Sequence, residues 1–459
     1  MRPELRDYQK EDAIKLNSKY ATACFNQQRT GKTPTSIRAM CARDGVKKIL
    51  IICPASLMYQ WQEEFIRWSG RPCNVAAGTK VKRNKAIDTW TDGLVINYAT
   101  LRSYKKKLAK NAYEEVNGHA DKIKRSEPDG VILDEAHRIK GRVTATARAV
   151  NQLKGVKHKI ALTATPAPSH PSDVWPILHW LYPGVFKSYW KFVKNYFDVS
   201  SEQYGGAVIY KPTKFKPIRE RAFQHMLDDF TTNRKRIDVM PWLPDVPEPT
   251  RIKLPLSKYQ LKYLDDLDSM FQTGHVIVQG HLDRLIRYRQ ICNAPEILDL
   301  RGKSPKIEWL QQYMSDYPEV PTIIFSKQTK FLRLIEKKTK GKVKLLEGNT
   351  TAKKRQDLIS DFQSGNIKLL AIQIDAGKEG LTLDTAEKII FLDVYPPAAD
   401  ISQAQDRFIA TVKSKADIPK EVIYVMMKDS YDEELYNLVD LRRDETEVVN
   451  AYIKFINKE

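Results

Sequence analysis

The feature that most limits the fold is a repeated alternation of short apolar segments with longer helical patterns. In the first part of the chain, the apolar segments are KKILIICP (47–54), GLVINY (93–98), GVILDEAH (130–137) and KIALTATP (159–166). A second series comprises TIIFSKQ (322–328), KVKLLEG (342–348), IKLLAIQ (367–373), EKIIFLD (387–393) and EVIYVMM (421–427). This alternation is typical of parallel sheets covered by helices. The sequence therefore predicts an α/β fold with two lobes.

The two series are separated by a segment of different character. The chain has 459 residues, which is more than one hydrophobic core normally serves. From about residue 167 to 300 the pattern is mainly helical, and the proline-rich MPWLPDVPEPT (240–250) interrupts it. We therefore expect a first lobe over residues 1–166, helical insertions with the inter-lobe linker over 167–300, and a second lobe over 301–459.

The charge of the chain points to a polyanionic partner. It contains 76 Lys and Arg residues against 56 Asp and Glu residues, a formal net charge of +20. Basic residues alternate with aromatic ones in RSYKKKLAK (102–110), NRKRIDVMPW (233–242) and RLIRYRQ (284–290), as expected of surfaces that follow a phosphate backbone. A generally lysine-rich surface is the alternative, because charge informs about association rather than fold.

Neither a membrane segment nor a cysteine-based site is expected. The sequence has no run of about 18 uncharged apolar residues and no signal peptide. Its five cysteines form no C-x-x-C pair and leave one over, which argues against a disulfide framework or a zinc ribbon. We expect an intracellular, cytoplasmic protein without a membrane partner.

The segment FNQQRTGKTPTSI (25–37) ends like a phosphate-binding loop. In the pattern G-x-x-x-x-G-K-[ST], Gly31 and Lys32 occupy positions that contact phosphate, and Thr33 the position that contacts Mg²⁺. Asn26 stands in place of the first glycine. Asparagine tolerates left-handed backbone better than most residues, so we expect Asn26 to take that glycine's role. By itself, GKT is also compatible with an ordinary strand-to-helix loop.

The segment ILDEAH places two carboxylates directly after an apolar strand, at the edge where α/β sheets bind ligands. Asp134 is a candidate for holding Mg²⁺ through water, and Glu135 for orienting the water that attacks the γ-phosphate. An isolated DEAH is also compatible with a solvated helix start. Here it follows GKT by about 100 residues and stands behind an apolar strand, which favours a functional interpretation.

Longer strings over nearly the whole chain resemble superfamily two helicases, specifically Swi/Snf-type DNA translocases. In the first half these strings are LRDYQKEDA (5–13), ICPASLMYQW (52–61), DEAHRIKG (134–141) and LTATPAPSHPSDVWPILHWLYPGVF (162–186). In the second half they are RQICNAPEIL (289–298), TIIFSKQTKFLRLIE (322–336), AGKEGLTLDTAEKIIFLD (376–393) and QAQDRF (403–408). ICPASLMYQW is similar to the family motif that grips one DNA strand.

The resemblance implies two RecA-like lobes joined by a helical middle segment, with ATP and Mg²⁺ as cofactors. The further site residues that it implies are Gln9 at the adenine edge, Thr30 in the phosphate loop, Gly377, Gly380 and Gln403 at the cleft, and Arg407 as an arginine finger. Such a finger would stabilise charge that develops in the transition state.

Three positions depart from the family pattern. Ala410 stands where a second arginine is typical, so either Lys413 replaces it in part or the site operates with one finger. Ala164 and Arg29 each stand where the family has glycine. These departures put the catalytic rate in question more than the class of reaction.

The resulting functional expectation is an ATP-driven motor that moves on duplex DNA and remodels forks or recombination junctions. The resemblance favours a compact prokaryotic or phage-like member that acts as a monomer in the bacterial or phage-infected cell. An RNA helicase is one alternative, since DEAH also occurs in that branch. A nucleic-acid-binding protein that uses ATP as a switch, with little turnover, is the other. The sequence indicates no particular protein partner.

Overall fold

The computed structural model describes residues 3–109, 112–167, 170–204, 207–241, 248–377, 383–395, 401, 404–405 and 418–440. The chain divides into two compact units, Met1–Met240 and Pro241–Glu459. Each unit is built on its own parallel sheet with helices, which confirms the prediction of an α/β fold with two lobes.

The first unit contains a parallel sheet and two antiparallel hairpins. Its strands are β1 (Ala21–Cys24), β2 (Ile49–Cys53), β3 (Cys73–Val75), β4 (Gly93–Asn97), β5 (Tyr104–Ala109), β6 (Ala112–Val116), β7 (Gly130–Leu133), β8 (His158–Leu162), β9 (Phe197–Tyr204), β10 (Ala207–Phe215) and β11 (Thr231–Thr232). The sheet has the order β11-β1-β8-β7-β2-β4-β3, while β5 pairs with β6 and β9 with β10. The predicted segments of the first series thus form β2, β4, β7 and β8.

The helices of the first unit connect these strands. They span Asp7–Asn17, Lys32–Cys41, Met58–Ser69, Lys80–Asp88, Tyr98–Leu101, Ala120–Arg125, Ala145–Asn151, Trp175–Leu181, Tyr189–Tyr196, Arg219–Asp228 and Arg236–Val239. Short 3₁₀ helices span Ala55–Leu57, Ala136–Ile139 and Pro171–Val174.

Both faces of the first sheet are covered, as the continuous apolar strands require. All residues of β2 are buried. Leu50 and Ile52 belong to one apolar cluster, whereas Ile49 and Ile51 belong to another. Successive side chains of a strand point to opposite faces, so the two clusters lie on opposite sides of the sheet. This explains why the strand carries no polar alternation.

The second unit has the same construction. Its strands are β12 (Thr250–Leu254), β13 (Gln272–Thr273), β14 (Val276–Ile277), β15 (Thr322–Ser326), β16 (Lys344–Leu346), β17 (Leu369–Gln373), β18 (Lys388–Phe391) and β19 (Glu421–Met427). The parallel sheet has the order β12-β19-β18-β15-β17-β16, and β13 pairs with β14. The helices span Lys258–Met270, His281–Asn293, Pro305–Asp316, Thr329–Lys338, Ala352–Gln363, Ile374–Gly377 and Tyr431–Asp440, with a 3₁₀ helix at Pro295–Leu298.

The expected middle segment, residues 167–300, is divided between the two units. Its strand β11 pairs with β1 at the edge of the first sheet, and its strand β12 pairs with β19 at the edge of the second. The segment also contains the hairpin β9–β10, besides its helices. The division between units falls at Met240, inside the proline-rich string that we interpret as the linker.

No helix in the described ranges combines the length and the apolar character needed to cross a membrane.

Candidate nucleotide-binding site

The motifs predicted in the first lobe meet at the carboxyl ends of its parallel strands, the edge of the sheet where the strands end. The strands β1, β8 and β7 are neighbours, with Cys24 opposite Leu162 and Leu133 opposite Ala161. Because parallel strands end at the same edge, the segments that follow them lie side by side. These are the phosphate loop after β1, the DEAH segment after β7 and the LTAT segment after β8.

The backbone of the phosphate loop turns at Arg29 and Gly31, which have φ angles of 65° and 79°. The expectation that Asn26 adopts the left-handed conformation is wrong, since it is not among the residues with positive φ. The left-handed non-glycine residue is Arg29, at the position where the family has glycine. An arginine in this region carries a backbone strain that glycine would not.

Asn26 instead serves through its side chain, which is 2% exposed. Its Nδ2 donates to Asp12 Oδ2 at 2.7 Å, and its Oδ1 accepts from the backbone N–H of Arg234 at 3.0 Å. The guanidinium of Arg234 in turn donates to Asp12 Oδ1 at 2.7 Å. Gln27 extends the same attachment, since its Oε1 accepts from the backbone N–H of Arg236 at 2.7 Å. The base of the loop is therefore fixed to residues 234–236.

Gln9 lies against the other end of the loop. Its Nε2 donates to the carbonyl of Thr30 at 3.1 Å, and its Oε1 accepts from the backbone N–H of Arg6 at 2.9 Å. Gly31 has a φ angle of 79°, which favours glycine, and a Cβ at this position would lie 2.1 Å from Gln9 Nε2, so a larger residue would displace the Gln9 amide. The Thr30 hydroxyl donates to the carbonyl of Gln27 at 2.8 Å. The structure thus brings Gln9 and Thr30 together at the loop.

Lys32 begins the helix Lys32–Cys41, whose amino end has no side-chain cap. The Lys32 Nζ donates to the carbonyls of Asn26 at 2.9 Å and Gln27 at 3.1 Å, so its ammonium lies across the loop. Thr33 follows in the first turn and is half-buried. Free backbone N–H groups and a positive dipole end favour a phosphate here.

Asp134 is oriented by a residue from a distant segment. Its Oδ2 accepts from Trp61 Nε1 at 2.8 Å, and its Oδ1 accepts from the backbone N–H of Glu135 at 3.0 Å. Its carbonyl accepts from the hydroxyl of Tyr98. Trp61 belongs to the string expected to grip DNA, but its own side chain is 2% exposed and contacts the carboxylate. Two fixed donors leave lone pairs of the carboxylate available to a cation.

The surroundings of Asp134 disfavour the charged form of its carboxylate. Burial, together with the charge of neighbouring Glu135, raises the pKa of Asp134 to about 6. The hydrogen bond from Trp61 and the positive charge of Lys32 act in the opposite direction. A divalent cation would favour the ionised carboxylate and relieve this cost.

Glu135 has a φ angle of 48° and directly precedes the 3₁₀ helix Ala136–Ile139. Its Oε2 lies 3.3 Å from His137 Nδ1, which is also 3.0 Å from the hydroxyl of Thr163. The Thr163 hydroxyl further accepts from the backbone N–H of Thr165 at 3.1 Å. The DEAH segment and the LTAT segment are thus joined through a fully buried threonine.

The donors at this edge fit a magnesium nucleotide better than a metal held by protein alone. No group of three or more His, Cys, Asp or Glu side chains suited to a metal occurs in the described ranges. Mg²⁺ typically takes one or two protein oxygen ligands, with phosphate and water completing its shell. Asp134 and the hydroxyl of Thr33 are oxygen donors of this kind.

The site residues predicted in the second lobe are described only in part. Gly377 ends the short helix Ile374–Gly377, which follows β17 directly. Gly380, Gln403 and Arg407 lie outside the described residues. The same holds for Ala410 and Lys413.

Several residues of this edge were not singled out individually from the sequence, namely Asp12, Trp61, Tyr98, His137, Thr163 and Arg234. Trp61 and Asp134 are 73 residues apart, and Arg234 and Asp12 are 222 apart. Local pattern carries no signal for such pairs. His137 and Thr163 do lie within the strings DEAH and LTAT, so the resemblance to a known family could have pointed to them.

Comparison with known families accounts for most of the chain. A model of the SNF2-related domain matches residues 10–297, and a model of the helicase conserved C-terminal domain matches residues 305–409. These ranges contain the phosphate loop, the DEAH segment and the QAQDRF string.

Two curated relatives show how the chain compares with whole proteins. The human DNA annealing helicase and endonuclease ZRANB3 is 23% identical over 429 residues, covering 89% of this chain and 37% of that protein. The mouse SWI/SNF-related matrix-associated actin-dependent regulator of chromatin subfamily A member 1 is 25% identical over 439 residues, covering 88% of this chain and 40% of that protein. The chain therefore spans about two fifths of the length of these relatives.

Among solved structures, the Sulfolobus solfataricus SWI2/SNF2 ATPase core in complex with dsDNA is 21% identical to this chain, with a TM-score of 0.42. The match covers 96% of this chain and 92% of that one. The family itself rests on the sequence model, which matches well over half of the residues. The chain belongs to the SNF2-related family, the Swi/Snf type of superfamily two helicase.

Proposed function

We propose that the protein is a DNA-dependent ATPase that moves along duplex DNA and remodels branched DNA such as forks and recombination junctions. One observation carries the proposal. The phosphate loop and the two DEAH carboxylates meet at one sheet edge in a chain of the SNF2-related family.

The first unit supplies the groups that ATP hydrolysis needs. Lys32 would exchange its loop carbonyls for the β- and γ-phosphates, while Thr33 and Asp134 would hold Mg²⁺. The cation would neutralise charge on the phosphates. Glu135, with its carboxylate next to His137, would orient the attacking water. Gln9 would exchange its bonds to Thr30 and Tyr8 for bonds to the adenine edge.

The second unit would complete the site when ATP is bound. Arg407 is proposed as the finger that stabilises the transition state, with Gln403 beside it in the QAQDRF string. Gly377 and Gly380 would allow close backbone approach. Closure of two lobes once per ATP would renew each lobe's hold on the phosphate backbone, which produces directional movement.

DNA as the substrate is supported by charge and by family. A net charge of +20 favours a polyanion. The human relative is a DNA annealing helicase, and a solved SNF2 core is bound to dsDNA. These properties belong to those proteins, and branched DNA is the substrate class that we propose for this one.

ATP turnover measured alone and with single-stranded DNA, duplex DNA, junction DNA and structured RNA tests the proposal. We expect the largest stimulation by junction or duplex DNA. Stimulation by RNA alone would support an RNA helicase, and absence of turnover would support an ATP-switched binding protein. Lys32→Ala should abolish turnover, whereas Glu135→Gln should still bind ATP and hydrolyse it slowly.

The finger assignment has its own test. Arg407→Ala should lower turnover on the order of 10³-fold with DNA affinity nearly unchanged, because a finger acts in the transition state. Lys413→Ala should have little effect, because an ammonium does not reproduce the planar guanidinium fork. Equal loss in both variants would contradict a single finger at Arg407.

A further inference from the structure

A cavity of about 690 Å³ in the second unit is lined by lysines. We call it the lysine pocket and define it by Lys338, Lys340, Lys342, Lys344 and Lys368. In the described part of the chain, no Asp or Glu side chain lines it. The apolar segments KVKLLEG and IKLLAIQ contain three of these lysines, but none of the strings that resemble helicase motifs includes any of the five.

The pocket lies at the amino ends of two neighbouring strands of the second sheet, β16 and β17, whose first residues Lys344 and Leu369 line it. The segment that contains Gly377 follows the carboxyl end of β17. A five-residue strand is about 15 Å long, so the two edges are separate surfaces.

Local structure brings the lysines together. Lys340 and Gly341 have φ angles of 53° and 73°, and this left-handed pair turns the chain sharply after the helix Thr329–Lys338. Beyond the turn, Val343 is buried while Lys342 and Lys344 on either side are exposed, as strand alternation requires. The sequence KKTKGKVK thus becomes a cluster of cations around one turn.

The positive charge of the pocket is only partly compensated. Lys338 pairs with Glu296 at 3.3 Å, and Lys368 pairs with Glu319 at 3.4 Å. For Lys340, Lys342 and Lys344, the described residues provide no carboxylate within ion-pair distance. Like charges held close together reduce stability, so a cluster of this kind is favoured where a polyanion neutralises it.

The chemistry of the pocket favours a phosphate backbone over a protein partner. Its cations are flexible ammonium groups, which act as point charges on phosphate, without the planar fork of arginine. No aromatic side chain lines the pocket among the described residues, whereas protein interfaces depend on buried aromatic and arginine anchors. Such a surface follows charge along a duplex without reading its sequence.

We propose that the lysine pocket is a second contact site for the backbone of duplex DNA, used by another arm of a branched substrate. The inference rests on the proposed function, because it names a second surface with which a DNA translocase holds branched DNA. In this proposal a short linear duplex occupies only the DNA-binding surface formed by the helicase motifs. One arm of a junction occupies that surface, and a second arm contacts the lysine pocket.

The test compares two triple variants of the full chain. The pocket variant is Lys340→Gln/Lys342→Gln/Lys344→Gln. The control variant, Lys258→Gln/Lys262→Gln/Lys303→Gln, removes the same charge from exposed lysines of the same unit that lie outside the pocket. Affinity for a labelled four-way junction and for a linear duplex of one arm's length is measured over a range of salt, together with ATP turnover.

We expect the pocket variant to bind the junction about tenfold or more weakly at low salt, with a salt slope lower by about two to three units, since each duplex contact contributes about 0.9. Its affinity for the linear duplex and its turnover without DNA should match the parent. The control variant should match the parent on both substrates.

Other outcomes separate the possible failures. If the parent binds and is stimulated by DNA but the pocket variant behaves like the control variant, the pocket inference is overturned and the proposed function remains. If the parent binds no DNA, both are overturned. If poly-glutamate displaces the junction from the parent as effectively as unlabelled duplex of equal charge, and only when the pocket lysines are present, an acidic protein segment is the partner instead.

Discussion

Asn26 and Asp12 are joined by a hydrogen bond of 2.7 Å, in which the side-chain amide donates to a carboxylate that is 2% exposed. The same carboxylate accepts from the guanidinium of Arg234 at 2.7 Å. Asn26, which stands where a phosphate loop usually has its first glycine, therefore contributes a buried polar side chain. This side chain attaches the loop to the segment that follows β11. Two substitutions toward the common pattern should consequently have different effects on stability.

Asn26→Gly should destabilise the protein although it restores the usual glycine. It removes a donor from the buried Asp12 and an acceptor from the backbone of Arg234, which costs about 1–3 kcal/mol in the free energy of unfolding. Arg29→Gly, by contrast, relieves a left-handed backbone and should keep that free energy within about 1 kcal/mol of the parent or raise it. Urea unfolding of both variants measures this. Greater stability of Asn26→Gly than of the parent would show that the tether contributes nothing.

Trp61→Phe should lower kcat for ATP by about tenfold or more while the KM for ATP stays close to the parent value. The ring volume is largely kept, but the donor that orients Asp134 is lost, and hydrogen bonds to charged groups contribute about 1.5–3 kcal/mol. Trp68→Phe is the matched control, because its Nε1 donates to Glu64 in the same helix. Equal kinetics in the two variants would assign Trp61 to packing alone.

Asp432→Asn should reduce the free energy of unfolding by about 3–5 kcal/mol, because it leaves a buried ammonium without its charge partner. Lys306 Nζ lies 2.7 Å from Asp432 Oδ2, and the two side chains are 0% and 2% exposed. The double variant Lys306→Met/Asp432→Asn should be less destabilised than Asp432→Asn. Guanidinium unfolding checks this, with Glu308→Gln in the exposed pair with Lys303 as the control, for which we expect less than about 1 kcal/mol.

The stability contribution of Lys159 should depend on pH. Burial lowers its pKa to about 8, although its Nζ donates to the carbonyls of Lys154 and Trp180. A lysine in the unfolded chain has a pKa of about 10.4. Between these two pH values the unfolded state therefore binds more protons than the folded state, so the free energy of unfolding rises with pH across that window. Relative to Lys159→Met, the parent should gain up to about 3 kcal/mol from pH 8 to about 10.5. Lys154→Met, at an exposed site, should show no such trend, and a falling difference would contradict the sign.

Local sequence pattern is sufficient to predict the α/β architecture of both lobes. Continuous apolar segments such as ILIIC in β2 and the strand that precedes DEAH have no polar face, so they can only lie in a sheet covered on both sides. The spacing of GKT and DEAH, together with the family resemblance, indicated the ATP site. β1 was not among the predicted segments, because ATAC is four residues long and contains mostly small side chains.

Tertiary structure decided how the site is held together. The sequence interprets Asn26 by its backbone preference, but its partners Asp12 and Arg234 are 14 and 208 residues away, and the burial of Asn26 and Asp12 makes the side chain decisive. Trp61 belongs to a string that resembles a DNA-gripping motif, yet it orients Asp134 across 73 residues because β2 and β7 are neighbours in the sheet. Strand order and side-chain partners depend on contacts between distant segments, which are absent from any local window, whereas strand and loop identity depend on neighbours that the sequence itself displays.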